Sequence, residues 1–172
     1  MRILGVDPGM RKTGYAIVDE TAGKLTLSHS GEICPPLNQS DVRLKFLFTE
    51  MCEKIDLYQP DVVAIEDTFF AKNPQSALKL GQAKGVLRLA GEMKELPVFE
   101  YLPRTVKMAV VGYGAATKDQ IKEMVYRILK PVDRTDSEHE ADAAAVAICH
   151  AHSALWQAKQ TASVMRLRQK IT

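Results

Sequence analysis

The chain has 172 residues, of which 46% are hydrophobic, a size and composition that suit one domain with a single core. Its three cysteines show no CxxC spacing, which argues against a disulfide framework and against a cysteine zinc cluster. An acidic residue comes too early for a signal peptide, and no run approaches the roughly 18 apolar residues of a membrane span. We therefore expect a soluble, cytoplasmic protein with no membrane partner.

The formal net charge of +2 is unevenly distributed along the chain. Residues 1–71 contain 7 Lys or Arg and 11 Asp or Glu, whereas residues 72–134 contain 12 and 6. Clustered cations attract phosphate backbones, whereas clustered carboxylates repel them unless a metal ion lies between. The pattern favours an enzyme that binds nucleic acid and cuts it with metal ions. The alternative is that the lysines only solvate helix faces.

The first elements predicted are three strands, RILGVD (2–7), GYAIVDE (14–20) and KLTLSHSGEI (24–33), joined by short turns as an antiparallel meander. A helix over 40–58 follows, with Ser40 or Asp41 as its cap. DVVAIEDTFF (61–70) begins as a fourth strand. Because a helix separates this strand from the meander, a right-handed crossover should place it parallel to the first strand.

The second half predicts a helix over 75–95, a strand over 96–101, and helices over 117–130 and 137–158 capped by Thr117 and Ser137. The resulting order, βββαβαβαα, describes an α/β fold with a five-stranded mixed sheet flanked by helices. We expect one nuclease domain over 1–158 and a polar, basic, poorly ordered tail over 159–172.

Two carboxylates end the first and fourth strands, Asp7 and Glu66, and parallel neighbours would bring them to the same sheet edge. Such a pair must share a proton or hold a hard cation such as Mg²⁺. His139 and Asp142 lie three apart on the last helix, and therefore on one face. The four side chains could hold two metal ions for phosphodiester hydrolysis. Taken singly, Asp7 could be a turn residue, Glu66 an ordinary strand-end charge and His139 an exposed helix residue.

Four stretches together resemble a known family: LGVDPGMRKTGY, QPDVVAIEDTFFAKNPQSALKLGQAKGV, LPVFEYLPRTVKMAVVGYG and EADAAAVAICHAH. The sequence is similar, up to about residue 155, to the RuvC Holliday-junction resolvases, which have the ribonuclease-H-like fold. The resemblance implies catalytic acids at Asp7, Glu66 and Asp142. It also implies a four-way DNA junction as substrate, cut symmetrically by a homodimer with Mg²⁺ or Mn²⁺, two ions per site, and the RuvA–RuvB branch-migration complex as partner.

His139 departs from the commonest family pattern, in which an Asp occupies that position. Some members of the family resemble this chain in having His there, so His139 stays a catalytic and metal-ligand candidate. Neutral imidazole can bind a metal ion or accept a proton, but it is softer than carboxylate. We hypothesise a preference for Mn²⁺ over Mg²⁺ and a loss of activity when His139 is protonated.

Contacts to DNA follow from side-chain chemistry and from the same resemblance. Exposed aromatic side chains stack on unpaired bases, and the resemblance places such a wedge at Phe69, while Phe70 could be a core residue. It also implies phosphate contacts near the scissile bond from Lys107 and Lys118. Weaker candidates for phosphate contacts are Arg104, Lys72 and Lys84. The dimer interface is expected on the glycine-bearing helix, around residues 77–94.

Two other functions stay open at this level. DPGMRKTGYAIV also resembles the first phosphate loop of actin-like ATPases, but 172 residues without a repeated motif cannot supply their two lobes. The other possibility is a non-catalytic protein that binds four-way junctions, suggested by the histidine at position 139. That protein would leave a junction intact in the presence of any divalent ion.

Overall fold

A computed structural model describes residues 1–36, 42–67, 74–131 and 134–169, with side chains as far as residue 154. It contains five strands and five helices: β1 Arg2–Asp7, β2 Thr13–Thr21, β3 Lys24–Ile33, α1 Arg43–Tyr58, β4 Val62–Glu66, α2 Pro74–Met93, β5 Val98–Tyr101, α3 Pro103–Val111, α4 Lys118–Leu129 and α5 Glu138–Gln169. No helix within the described residues is long and apolar enough to cross a membrane.

The five strands form one mixed sheet in the order β3-β2-β1-β4-β5. β1, β2 and β3 pair antiparallel, as the short turns between them predicted. β4 lies parallel to β1 on one side and to β5 on the other. The crossover through α1 therefore places the carboxyl ends of β1 and β4 side by side, which confirms the predicted arrangement.

Two hydrophobic layers cover the sheet, because successive strand residues point to opposite faces. On one face α1 and α2 pack over Leu4, Val6 and Ile65. On the other face α3, α4 and α5 pack over Ile3 and Ala64. Strands β1, β2 and β4 are thus mostly buried on both sides, and their ends are the places where polar side chains can meet a cleft.

Helix α5 lies unusually close to the sheet because small residues meet at the contact. A Cβ built on Gly5 would lie 2.1 Å from the carbonyl oxygen of Ala143, and one built on Gly14 would lie 2.0 Å from that of His139. Gly14 pairs with Asp7 in the β1–β2 ladder. The first turn of α5 is thereby brought over the end of β1, as the run of alanines in this helix predicted.

Some helix boundaries agree with the sequence prediction and others differ from it. Thr117 and Ser137 cap α4 and α5 as predicted, each accepting a backbone N–H of the first turn. α1 has Val42 at its N-cap without a side-chain hydrogen bond, while Ser40 and Asp41 lie outside the described residues. Helix α3 is absent from the predicted order. The predicted domain boundary at residue 158 stays a prediction, and α5 continues to Gln169.

Candidate active site

The predicted catalytic side chains share one cleft at the carboxyl ends of β1 and β4. Val6 pairs with Ile65 in the parallel ladder, and Asp7 and Glu66 are the next residues of the two strands. The two acids therefore lie side by side. The cleft has a volume of about 320 Å³. Its walls come from β1, β4, α3, α4 and α5: Asp7, Glu66, Pro103, Val106, Lys107, Lys118, Ile121, His139, Asp142 and Ala145.

A hydrogen bond joins the end of β1 to helix α5. His139 Nδ1 lies 2.7 Å from Asp7 Oδ2, and the Asp7 side chain is 11% exposed. This hydrogen bond is the main cause that raises the pKa of His139, against the lowering effect of its partial burial. The bond fixes the orientation of the imidazole ring against the Asp7 carboxyl group.

Glu66 is the most perturbed carboxyl group of the cleft. Burial, and then the negative charges of Asp7 and Asp142, raise the pKa of Glu66 to about 7. Burial, and then Asp7, also raise the pKa of Asp142. The three acids therefore form a desolvated cluster of like charge, in which one carboxyl group holds its proton until near neutrality.

Two lysines bring positive charge to the same cleft. Lys118 Nζ donates to Glu138 Oε2 at 2.9 Å and lies 3.7 Å from Asp142 Oδ2. Lys107 Nζ donates to the carbonyl oxygen of Ala116 at 2.9 Å. Both ammonium groups stand beside the acids, where a bound phosphodiester would have to approach.

The other predicted DNA contacts are placed less favourably or are not described. Lys84 Nζ donates to Asp67 Oδ1 at 2.5 Å and to Glu100 Oε2 at 3.1 Å, so two carboxylates already neutralise its charge. Arg104 is exposed and packs against Gly114. Phe69 and Lys72, and Phe70 beside them, lie outside the described residues.

Four other polar side chains of α5, within the part whose side chains the structure describes, have partners of their own. Glu140 Oε2 accepts a hydrogen bond from Ser30 Oγ at 2.5 Å, and Glu138 pairs with Lys118. His150 is buried and its Nδ1 lies 2.8 Å from the Tyr101 hydroxyl. His152 Nδ1 lies 3.1 Å from the carbonyl oxygen of Ala109. Neither of these two histidines lines the cleft.

Sequence reasoning missed the wall of the cleft that α3 provides. Lys107 lies on this nine-residue helix together with Pro103 and Val106. The missed signals were Pro103 at the first helical position and Gly112, which ends the helix with a φ of 90°. A proline at the start and a glycine just past the end are typical of helix boundaries.

The donors of the cleft fit a hard divalent cation. Three carboxylates supply the oxygen ligands that Mg²⁺ and Mn²⁺ prefer, and the imidazole adds a softer nitrogen donor. Burial is the main cause that raises the pKa of Glu66, and a cation would relieve the second cause, the repulsion from Asp7 and Asp142. As they stand, no three of the His, Cys, Asp and Glu side chains that the structure describes are arranged to hold an ion.

The mixed sheet and the acidic cleft at its central strand ends define a nuclease of the ribonuclease-H-like class. A family model described as crossover junction endodeoxyribonuclease RuvC matches residues 3–150. The chain is 48% identical over 151 residues to the RuvC endodeoxyribonuclease of Actinobacillus succinogenes, covering 88% of this chain and 79% of that protein. It is 47% identical over 149 residues to that of Hydrogenovibrio crunogenus, covering 87% and 86%. The chain belongs to the family of RuvC crossover junction endodeoxyribonucleases.

Solved structures support the same assignment. Thermus thermophilus RuvC superimposes with a TM-score of 0.81 at 30% identity, covering 91% of this chain and 97% of that one. The T. thermophilus RuvC in complex with Holliday junction substrate gives a TM-score of 0.83 at 31% identity, covering 90% and 94%. The ribonuclease-H-like fold and the endonuclease class predicted from the sequence are therefore confirmed. Membership of the family also implies dependence on a divalent metal ion.

Proposed function

We propose that this endonuclease resolves four-way DNA junctions in recombination and repair through Asp7, Glu66, His139 and Asp142. The observation that carries the assignment of residues is their common cleft, at the edge formed by two parallel strands and the first turn of α5. The comparisons support the substrate, since one similar protein is solved with a Holliday junction bound.

The carboxylates of Asp7, Glu66 and Asp142 are the proposed ligands of Mg²⁺ or Mn²⁺, with two ions per site and His139 as a further ligand or proton acceptor. When bound, such ions would supply Lewis acidity toward the phosphate and stabilise negative charge on the attacking and leaving oxygens. The carboxylates are preorganised for this purpose by the sheet edge, because β1 and β4 hold the first two in register.

Asp7 also fixes the protonation pattern of His139. With Asp7 Oδ2 at 2.7 Å, Nδ1 carries the proton that it donates, and neutral imidazole then has its lone pair on Nε2. Nε2 is therefore the atom that can accept a proton from water or bind a cation. Protonation of Nε2 would remove this capacity, which agrees with the hypothesis that acid suppresses activity.

The proposed DNA contacts use the cations beside the cleft. Lys107 and Lys118 are proposed to contact phosphates near the scissile bond, and Phe69 to stack on an unpaired base at the junction centre. Arg104 and Lys72 remain weaker candidates for outer phosphates. Lys84 is left out of this set because its ammonium group pairs with Asp67 and Glu100.

Symmetric cutting requires two active sites, and we propose a homodimer formed through α2. The outward side of this helix exposes Leu78, Leu89 and Met93, and nothing lies within 4 Å of a Cβ built on Gly81 or Gly85. An apolar stripe with small residues suits close helix packing. The RuvA–RuvB complex as a partner and a cytoplasmic location are further proposals, which rest on the family resemblance.

The test is incubation of a synthetic four-way junction with Mg²⁺ or Mn²⁺ and the parent protein, its Asp7→Asn variant or its Glu140→Gln variant. We expect paired symmetric nicks from the parent, and binding without cutting from Asp7→Asn. Glu140→Gln is the matched control, because it removes an acid of α5 that is bonded to Ser30 outside the cleft. A junction left intact by the parent in both metals would refute the assignment and favour the non-catalytic alternative.

A further inference from the structure

The residue after Glu66 is held from the opposite side of the sheet. Asp67 is 9% exposed, and its backbone N–H donates to the carbonyl oxygen of Tyr101 at 2.8 Å. Its Oδ1 accepts a hydrogen bond from Lys84 Nζ at 2.5 Å. Lys84 thus ties helix α2 to the chain at the point where β4 ends.

Glu66 and Asp67 are consecutive, and their side chains contact opposite layers. Glu66 lines the cleft with Asp142 on the α5 side. Asp67 contacts Lys84 of α2, which packs on the other layer. The contact between α2 and Asp67 therefore restrains the position of the strand end that carries Glu66.

The contacts of Lys84 are shielded from solvent. The Lys84 side chain is 21% exposed and that of Asp67 is 12% exposed. Burial by itself would lower the pKa of Lys84, but hydrogen bonds to Asp67 and Glu100 outweigh it and raise the pKa. In such a site the loss of one partner leaves an uncompensated charge, so the local structure must move.

Arg88, one turn further along α2, makes a useful contrast. Its guanidinium donates to Glu100 Oε1 and to Glu92 Oε1, both at 2.7 Å, and its side chain is 45% exposed. It thus shares Glu100 with Lys84 and carries the same charge on the same helix. Its ion pairs among the described residues are with Glu92 and Glu100, and neither involves Asp67, the residue next to Glu66.

We propose that Lys84 is a positioning residue for the nuclease site, acting through Asp67 on the placement of Glu66. This inference rests on the proposed catalytic role of Glu66. It replaces the interpretation of Lys84 as a phosphate contact. A displacement of a catalytic group by about 1 Å can cost roughly 100-fold in rate, so a loose strand end would slow cutting without weakening DNA binding.

The test compares the parent with Lys84→Met, Lys84→Arg, Asp67→Asn and the control Arg88→Met in the full-length protein. Single-turnover cutting of a saturated four-way junction is measured with Mg²⁺, and junction affinity is measured without metal over a series of salt concentrations. Thermal unfolding and dimer state are followed in each variant, because α2 carries the proposed interface. Should Lys84→Met fail to fold, Asp67→Asn is nearly isosteric and provides the same test.

We expect Lys84→Met to cut about tenfold more slowly, Asp67→Asn to fall between it and the parent, and Lys84→Arg to restore most of the rate. Junction affinity and the salt slope should stay at parental values, and Arg88→Met should cut within about twofold of the parent. A weaker affinity with a salt slope reduced by about one unit would identify Lys84 as a phosphate contact and overturn the proposal. Equal losses in Arg88→Met, or no loss in Lys84→Met, would also overturn it. A parent that does not cut would refute the proposed function itself.

Discussion

Removal of the Glu66 charge should stabilise the metal-free protein at alkaline pH. The pKa of Glu66 is about 7 in the folded protein and about 4.5 in an unfolded chain. Between these values the folded state holds a proton that the unfolded state has lost, so the free energy of unfolding decreases as pH rises. The full shift corresponds to about 3.4 kcal/mol, of which about 2.5 kcal/mol falls between pH 5 and pH 8. Allowance for partial exposure of the side chain leaves about 2 kcal/mol.

The Glu66→Gln variant keeps the size of the side chain but cannot ionise. We expect the substitution to raise the free energy of unfolding relative to the parent. This gain should be about 2 kcal/mol larger at pH 8 than at pH 5. The assay is denaturant unfolding at both pH values in the presence of a chelator. Asp142 and His139 titrate in both proteins, so the difference between parent and variant isolates Glu66. Equal pH dependence in the two proteins would refute the argument from desolvation and like charge.

Three further predictions concern metal preference, DNA binding and packing. His139→Asp should raise the cutting rate in Mg²⁺ relative to the rate in Mn²⁺, because carboxylate is a harder ligand than imidazole. An unchanged ratio of the two rates would contradict this. Lys118→Met should reduce the salt slope of junction binding by about one unit, whereas an unchanged slope would show that this lysine contacts no phosphate. Gly14→Ala should destabilise the fold by about 2 kcal/mol in thermal or denaturant unfolding, since its Cβ would meet the backbone of His139. The control Gly81→Ala, where the space is open, should stay within about 1 kcal/mol, and an equal loss there would contradict the packing argument.

The central part of the site could be predicted from the sequence because it depends on short-range rules. Asp7 and Glu66 each end an apolar run, and the handedness of a strand–helix–strand crossover makes the two strands parallel. His139 and Asp142 lie three apart, which alone places them on one face of α5. Phe69 and Lys72 remain predictions, since they lie outside the described residues.

The partners of charged side chains could not be predicted in the same way. In the sequence, Lys84 is one of several cations in a basic segment, and nothing local indicates its partners. Only the packing of α2 on the sheet brings it to Asp67 and Glu100. Lys107 likewise required α3, whose nine residues are too few for a strong periodic signal. Both cases involve contacts between elements distant in the chain.

The sequence by itself determined which residues end the strands, where most of the helices begin, and that acids would gather at one sheet edge. Those properties follow from periodicity, capping and crossover handedness, all of which are local or nearly so. Only the tertiary structure decided that Asp7 holds His139, that Glu66 is desolvated enough to titrate near pH 7, and that Lys84 is neutralised. The reason is physical: burial and charge pairing depend on which surfaces meet, and the strength of each interaction depends on how far water is excluded.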